Sequence, residues 1–497
     1  MPLNIRQALA LGGLLTLMGC DGSTPADPDG GTPRVDAGGG FDGGPDFDAA
    51  LPDAGPGPEI DAGGPVYGEW APQPWEDCEG GGSIVEAGPD DYRAALDALG
   101  PGDTLRLQPG DYTRGLPITV SGEEGRCIVI EALDPAARPR FFGSDAFNII
   151  AIHGASWVKV RHLDIDGIGR AGFGVASQGG DAMPTHHVVI EDLSMVGLDA
   201  DQQIVGVSTK SPAWDWVIRG NRIVGAGTGM YLGNSDGTQP FVRGVIELNT
   251  ILDTIGYSAQ IKHQLPRPDL PGMPADGAAT IIRYNVFSKG AGSSTGAEAR
   301  PNLLIGHLPA SGAGVNDRYL VYGNLFYDNP TENLMQAEGN LAIYRNVFVN
   351  PNGGALTVQP HNAVPRLVDV FLNTVLASGR GIDVSGGDPG FAQRVRYNAV
   401  FSPTPIRADD QLGDVTGDML AAVAMLTDAA APPGAGLDLH PADDALTTSI
   451  DPAELPDVLD ATFDYDQRRA DPPTRAGAYD APTTARSVPL ALEARTP

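Results

Sequence analysis

From residue 103 to residue 401 the chain is built of short runs in which apolar and polar residues alternate: DTLRLQPGDY, CIVIEAL, WVKVRHLDIDGI, HHVVIEDLSMVG and WVIRGNRIVGAG. Period-two runs bounded by Gly, Asp and Asn predict short strands joined by turns. A second pattern is laid over the first. A segment of the form apolar-x-x-Asn-x-apolar-apolar recurs as IRGNRIV, IELNTIL, IIRYNVF, LVYGNLF, AIYRNVF, VFLNTVL and VRYNAVF. The asparagines are Asn221, Asn249, Asn285, Asn324, Asn346, Asn373 and Asn398, spaced by 28, 36, 39, 22, 27 and 25 residues. Self-similarity at this period predicts a solenoid, because one coil cannot bury its apolar face without neighbours. The shortest spacings match one turn of a parallel β-helix, in which stacked asparagines bond from coil to coil.

About ten residues after each asparagine a further strand is expected: GMYLGN, SAQIKHQ, NLLIGHL, NLMQAEG, ALTVQPHN and GIDVSGGD. Placing Ala259 and Ile261 in the core turns Gln260, Lys262 and Gln264 outward. The same register turns Thr357, Gln359 and His361 outward, then Asp383 and Ser385. For NLLIGHL and NLMQAEG the register is open, so His307, Gln336 and Glu338 join this polar stripe under one of two choices. The two longest spacings mark insertions at 265–279 and 288–318, in the coils that follow Asn249 and Asn285. Loops that leave a rigid scaffold are where function concentrates.

Composition adds to the picture at the ends of the chain. Residues 1–20, MPLNIRQALALGGLLTLMGC, have the proportions of a secretory signal, and the ending resembles a bacterial lipobox with Cys20 as the lipidated residue. Asp, Gly, Pro and Ala dominate residues 21–66, which reads as an acidic linker that cannot bury enough apolar surface to order itself. The expected place is the cell envelope, anchored to a membrane as a lipoprotein. With Cys20 set aside, Cys78 and Cys127 are an even pair expected to form a disulfide. A net charge of −31 excludes broad contact with phosphate backbones, so no nucleic-acid partner is expected. The chain has four lysines, which makes the position of each informative. No P-loop, HExxH or CxxC pattern is present, no cofactor is expected, and no fixed ligand spacing supports a metal or Ca²⁺ site.

The asparagine repeats resemble the right-handed parallel β-helix superfamily, the pectin-lyase-like fold. The opening DYRAALDALGPGDTLRL resembles its N-terminal capping helix, and FDYDQRRADPPTRAGAYD resembles the tail that follows the solenoid. The resemblance implies an all-β chain: a right-handed parallel β-helix over 67–410 with a short capping helix, then an irregular segment over 411–497 packed on it. Within that superfamily, SAQIKH is similar to the Glu-x-x-Ser-x-Lys strand of the chondroitinase B and alginate lyase family. Lys262 matches the lysine, whereas Tyr257 and Gln260 stand where the glutamate and serine would be. Leu304-Ile305-Gly306-His307 stands where Leu-Arg-His-Gly is expected.

This likeness implies a polysaccharide partner, handled by a monomer. In the enzyme reading, a uronic-acid-containing chain is cleaved by β-elimination, with Lys262 as base and Arg300 or His307 assisting. Gln260, Gln264, Arg283, Glu338, Gln359, His361 and Asp383 are the candidate substrate-binding residues. In the rival reading the same stripe binds carbohydrate, or serves a surface structure, without turnover.

Overall fold

The computed structural model describes residues 79–495. The expected signal, the linker, Cys20 and Cys78 lie outside them. Cys127 is disulfide-bonded, and its partner likewise lies outside the described residues.

Three long parallel sheets wind around one core. Each coil contributes one strand to each sheet in turn, and parallel crossovers of this kind are right-handed. Coil 1 runs through Thr104–Leu107, Asp111–Tyr112 and Leu116–Ile118, and coil 2 through Ile128–Ala132, Arg140–Phe142 and Ile150–Ile152. The third-sheet strands of the next coils are Val175–Ser177 (coil 3), Val205–Thr209 (coil 4), Thr228–Leu232 (coil 5), Ala259–Ile261 (coil 6) and Leu303–Ile305 (coil 7). Met335–Ala337, Leu356–Val358, Arg380–Val384 and Thr404–Arg407 continue them as coils 8 to 11. A right-handed parallel β-helix is therefore the fold. Its first coil is capped by the helix Tyr92–Asp97, whose Tyr92 and Leu96 are buried in the core.

The asparagine ladder forms as the repeat predicts. Each asparagine sits between a first-sheet and a second-sheet strand and donates its amide to the next, from Asn221 to Asn249 at 2.9 Å through to Asn373 and Asn398 at 3.0 Å. The residue before each asparagine takes the left-handed conformation that turns the chain between sheets. Gly220 and Gly323 do so readily, whereas Leu248, Tyr284, Arg345, Leu372 and Tyr397 adopt φ of 53° to 57°. Each such side chain costs roughly 1–2 kcal/mol, and the buried ladder bonds offset that cost. Asp414 takes the next rung, accepting from Asn398 at 2.9 Å, so the coils run past 410 to Val415–Gly417.

The rest of the C-terminal segment covers two of the three sheets. Ile450, Leu455, Val458 and Leu459 pack on the outer face of the first sheet, over Tyr284, Tyr322, Tyr344 and Phe371. Residues from the helix Met419–Met425 to Leu492 pack on the second, over Val286, Leu325, Val347 and Phe401. The third sheet keeps exposed or half-exposed outward positions: Lys210, Tyr231, Leu304, Gln336, Thr357 and Gln359.

Candidate functional site

Pairing fixes the register of the third sheet. Tyr231, Gln260, Leu304, Gln336, Thr357 and Asp383 stand in one outward column. One residue beyond the paired strands, Lys262 bonds back to Leu232, Gly306 to Ile261, Glu338 to Ile305 and Ser385 to Val358. Lys262, Gly306, Glu338, Gln359 and Ser385 thus make a second column beside the first. Gln336 and Glu338 join the stripe. His307 has the opposite parity and pairs with His263, their rings stacked 5.0 Å apart. Gly306 is required by close approach, because a Cβ there would lie 2.3 Å from the backbone nitrogen of His263.

Several expected residues stand elsewhere. Gln264 does not face solvent: it is buried and donates to the Phe241 carbonyl and the Tyr319 hydroxyl, both at 3.0 Å. The strand ends at Ile261, so alternation no longer governs a side chain three residues on. Arg283 belongs to a first-sheet strand and is buried under the C-terminal segment. There it donates to Glu247 at 2.7 Å, to Tyr322 at 3.0 Å and to Asp460 at 3.2 Å, so it holds the fold together and is removed from the stripe. Gln260 holds the expected column but is 5% exposed, packed between the Tyr231 and Leu304 strands. Asp383 is 1% exposed and paired with Arg380 and with Arg407, the latter at 2.7 Å. Glu338 is 4% exposed; one oxygen accepts from the Asn362 backbone at 2.6 Å, while the other is buried without a partner. Gln359 and His361 are exposed.

The cations gather further toward the N-terminal coils than the sequence pattern shows. The Lys262 ammonium lies 5.6 Å from the centroid of the Tyr231 ring, and the Lys210 ammonium lies 5.6 Å from the same centroid and 5.1 Å from that of Phe173. Arg300 lies 5.8 Å from the Tyr257 centroid. A cation over a ring face is attracted by its quadrupole, so these groups are held in place rather than sweeping through solvent.

The loops on either side are ordered by their own bonds. Residues 288–318 are not one insertion, because the strand Leu303–Ile305 divides them into a loop that enters the third sheet and one that leaves it. In the entering loop, the Arg300 carbonyl accepts from Lys289 and from Asn329, both at 2.9 Å, and its guanidinium pairs with Glu298 at 2.9 Å. Burial, with Arg300 nearby, lowers the Lys289 ammonium to about 8. In the leaving loops, burial, then His307 and Lys262, hold His263 below the ordinary imidazole range, so the His263 ring is largely neutral at neutral pH.

The histidines of HHVVIEDL lie on the first sheet, where His186 stacks on Trp214 and His187 on Trp157. Among the described residues no group of three or more His, Cys, Asp and Glu side chains is gathered that could hold a metal ion. Lys210, Tyr231, Phe173 and His263 were missed by the sequence reading. The signal for Tyr231 and Lys210 was present, since GMYLGN has the register of SAQIKHQ, and Lys210 is one of four lysines.

No family model matches the chain, and no curated protein does. Solved structures similar to it include three named as polysaccharide lyases. An alginate lyase from Paenibacillus sp. strain FPU-7 is 16% identical over 61% of this chain and 96% of that one, with a TM-score of 0.32. Pectate lyase Pel9A is 13% identical over 85% and 98%, with a TM-score of 0.37. A PL6 family polysaccharide lyase from Pseudopedobacter saltans is 12% identical over 74% and 100%, with a TM-score of 0.43.

Proposed function

We propose that the protein binds an acidic polysaccharide along the outer face of the third sheet, around Lys262. One observation carries the reading. In a chain with a net charge of −31, two of its four lysines meet at a single tyrosine, with Arg300 one loop away, on the sheet that keeps exposed polar positions. Isolated surface cations scattered in an acidic protein are ordinary; cations converging on aromatic rings are suited to carboxylates or sulfates carried by sugar rings. Exposed Gln359 and His361 and half-exposed Gln336 and Thr357 supply hydrogen-bonding groups further along the same face.

Turnover is the finer reading. In it Lys262 takes the proton beside a uronate carboxylate, Arg300 or His307 assists, and the glycosidic oxygen leaves as a double bond forms in the sugar. The position of Lys262 on the stripe supports this. Its contact with Tyr231 favours binding instead, because a ring face attracts the ammonium and not the free amine that a base requires. The lipid anchor at Cys20 and a monomeric state remain part of the proposal on sequence grounds.

The test is incubation of the purified protein with alginate, pectate and glycosaminoglycans, following both binding and the ultraviolet absorbance of unsaturated uronate. Binding without absorbance supports a binding protein, and absorbance that Lys262→Ala abolishes supports the lyase. Binding of neutral glucans in preference to every acidic polymer would sink the proposal.

A further inference from the structure

On the first sheet, away from the proposed glycan face, alternation breaks in coils 3 to 5. Ala155 and Val158 both belong to the core, as do Ala213 and Trp216, so core positions stand three residues apart where alternation gives two or four. The extra residue in each coil is a bulge at positive φ: Trp157 at 57°, His187 at 52° and Asp215 at 57°, followed by Arg243 at 50° in coil 6. Pairing shows the same step. His186 is opposite Ser156 and Trp214, and Val188 is opposite Val158 and Trp216, while the bulge residues fall between the paired positions. Bulges re-aim side chains and recur beside functional sites; here one turns two consecutive histidines to the same outer face.

The bulge residues form a linked column. Arg243 donates to both oxygens of the fully buried Asp215, at 2.5 and 2.8 Å. Asp215 lies 3.4 Å from His187 Nε2, and the His187 ring stacks on Trp157 with centroids 3.8 Å apart. His186 is fixed separately by stacking on Trp214 at 4.6 Å. The two imidazoles stand at 84° to one another with their Nδ1 atoms 2.9 Å apart. A carboxylate beside Nε2 favours the tautomer with its proton there, which makes His187 Nδ1 an electron-pair donor. Burial lowers both imidazoles to about 4, so at neutral pH both are uncharged.

We infer that His186 and His187 form a binding site for a divalent transition cation, Cu(II) in preference to Zn(II), which takes the place of the proton between their Nδ1 atoms. Two nitrogens 2.9 Å apart subtend about 90° at a metal about 2.0–2.1 Å from each. That is the angle between neighbouring ligands in square-planar or octahedral coordination, whereas tetrahedral zinc needs nitrogens about 3.3 Å apart. Imidazole ligands in tetragonal geometry favour Cu(II) among the first-row cations. On binding, the His186 proton moves from Nδ1 to Nε2, so both ligands stay neutral and the site carries the charge of the metal. Asp215 and Arg243 orient His187 as carboxylates orient metal-bound imidazoles elsewhere. The remaining coordination positions go to solvent, because among the described residues no larger group of His, Cys, Asp and Glu is gathered.

The experiment titrates Cu(II) and, separately, Zn(II) into the full chain at pH 7.5, following tryptophan fluorescence and, for copper, electron paramagnetic resonance. One equivalent of Cu(II) should bind at least tenfold more tightly than Zn(II), quench tryptophan emission through Trp157 and Trp214, and show coupling to two imidazole nitrogens. His186→Gln and His187→Asn, the latter chosen because asparagine tolerates positive φ, should each weaken Cu(II) binding at least tenfold with the circular dichroism spectrum unchanged. The resonance spectrum of the parent decides the matter even if a variant fails to fold. Coupling to fewer than two imidazole nitrogens, absence of one-equivalent binding, equal or tighter binding of Zn(II), or unchanged affinity in folded variants would each overturn the inference.

Discussion

Asp414 ends the asparagine ladder with a carboxylate where every rung before it back to Asn221 has an amide. Its Oδ1 accepts from the Asn398 backbone at 2.7 Å and from the Asn398 side chain at 2.9 Å, while its Oδ2 is buried without a partner. In the preceding rungs the corresponding position is a nitrogen that donates to a strand carbonyl, as Asn398 does to Val370 at 3.0 Å and Asn373 to Ile343 at 2.8 Å. Burial raises the Asp414 carboxyl from 3.8 to about 6, against the pull of the Asn398 bonds and of Arg396. The sign follows from the raised value. The native state holds the proton more tightly than the unfolded chain, so stability is greatest below about 4 and falls as pH rises toward 6. A shift of about two units at 1.36 kcal/mol each is about 3 kcal/mol above that window. Asp414→Asn removes the buried charge and supplies the missing donor. It should stabilise the last coil by about 3 kcal/mol at pH 7.5 and by close to nothing at pH 4. A solenoid does not unfold as one two-state unit, so the readout should be local: native-state hydrogen exchange at Asn398 and at Val415, whose amide bonds the Asn398 carbonyl. Protection should rise about a hundredfold at pH 7.5. No gain at pH 7.5, or the same gain at both pH values, would refute the reasoning.

Other predictions follow from buried charges. His440 lies between Asp438 at 2.6 Å and Asp466 at 2.8 Å; burial opposes its charge, but the two carboxylates outweigh it and hold the imidazole above its ordinary 6.5. Its contribution is complete below about 6.5 and is lost as pH rises through the raised value, so proteolysis of the 426–490 segment should accelerate on the alkaline side, and Asp466→Asn should move that onset to lower pH. Arg283→Leu takes one ion-pair partner from the fully buried Glu247 and keeps its pairing with Arg219. It should destabilise the central coils by about 3–5 kcal/mol in urea unfolding, while glycan affinity per folded molecule stays unchanged, which a site residue would not allow. Gln264→Leu strands the Phe241 carbonyl and the Tyr319 hydroxyl and should cost about 1–3 kcal/mol by the same measurement, again with binding intact.

The fold was legible because its signal is both periodic and obligatory. Seven asparagines with apolar flanks specify the turn between the first two sheets, and alternation then places the third-sheet columns, including Gln336 and Thr357. The candidate site was half legible. Lys262 stands on the outward column as alternation requires, but alternation holds only while the strand is paired, and Gln264 lies beyond that limit. Exposure is also a property of what lies above a strand. Arg283 has the composition of a site residue, and its role was decided by a segment 177 residues further along the chain. Tyr231 and Lys210 each carried a positional signal, but their joining did not: a ring between two lysines becomes a unit through stacking across three coils, and no local window contains it.

Lys210 and Lys262 converge at Tyr231. The most direct test is calorimetric titration of an acidic polysaccharide into the parent protein and into the Lys210→Ala/Lys262→Ala double variant, at low and at physiological salt. The account predicts micromolar or tighter binding by the parent that weakens as salt rises, and a loss of at least thirtyfold in the double variant with its unfolding midpoint unchanged. Equal affinity in the two proteins would contradict it and would move the functional face away from the third sheet.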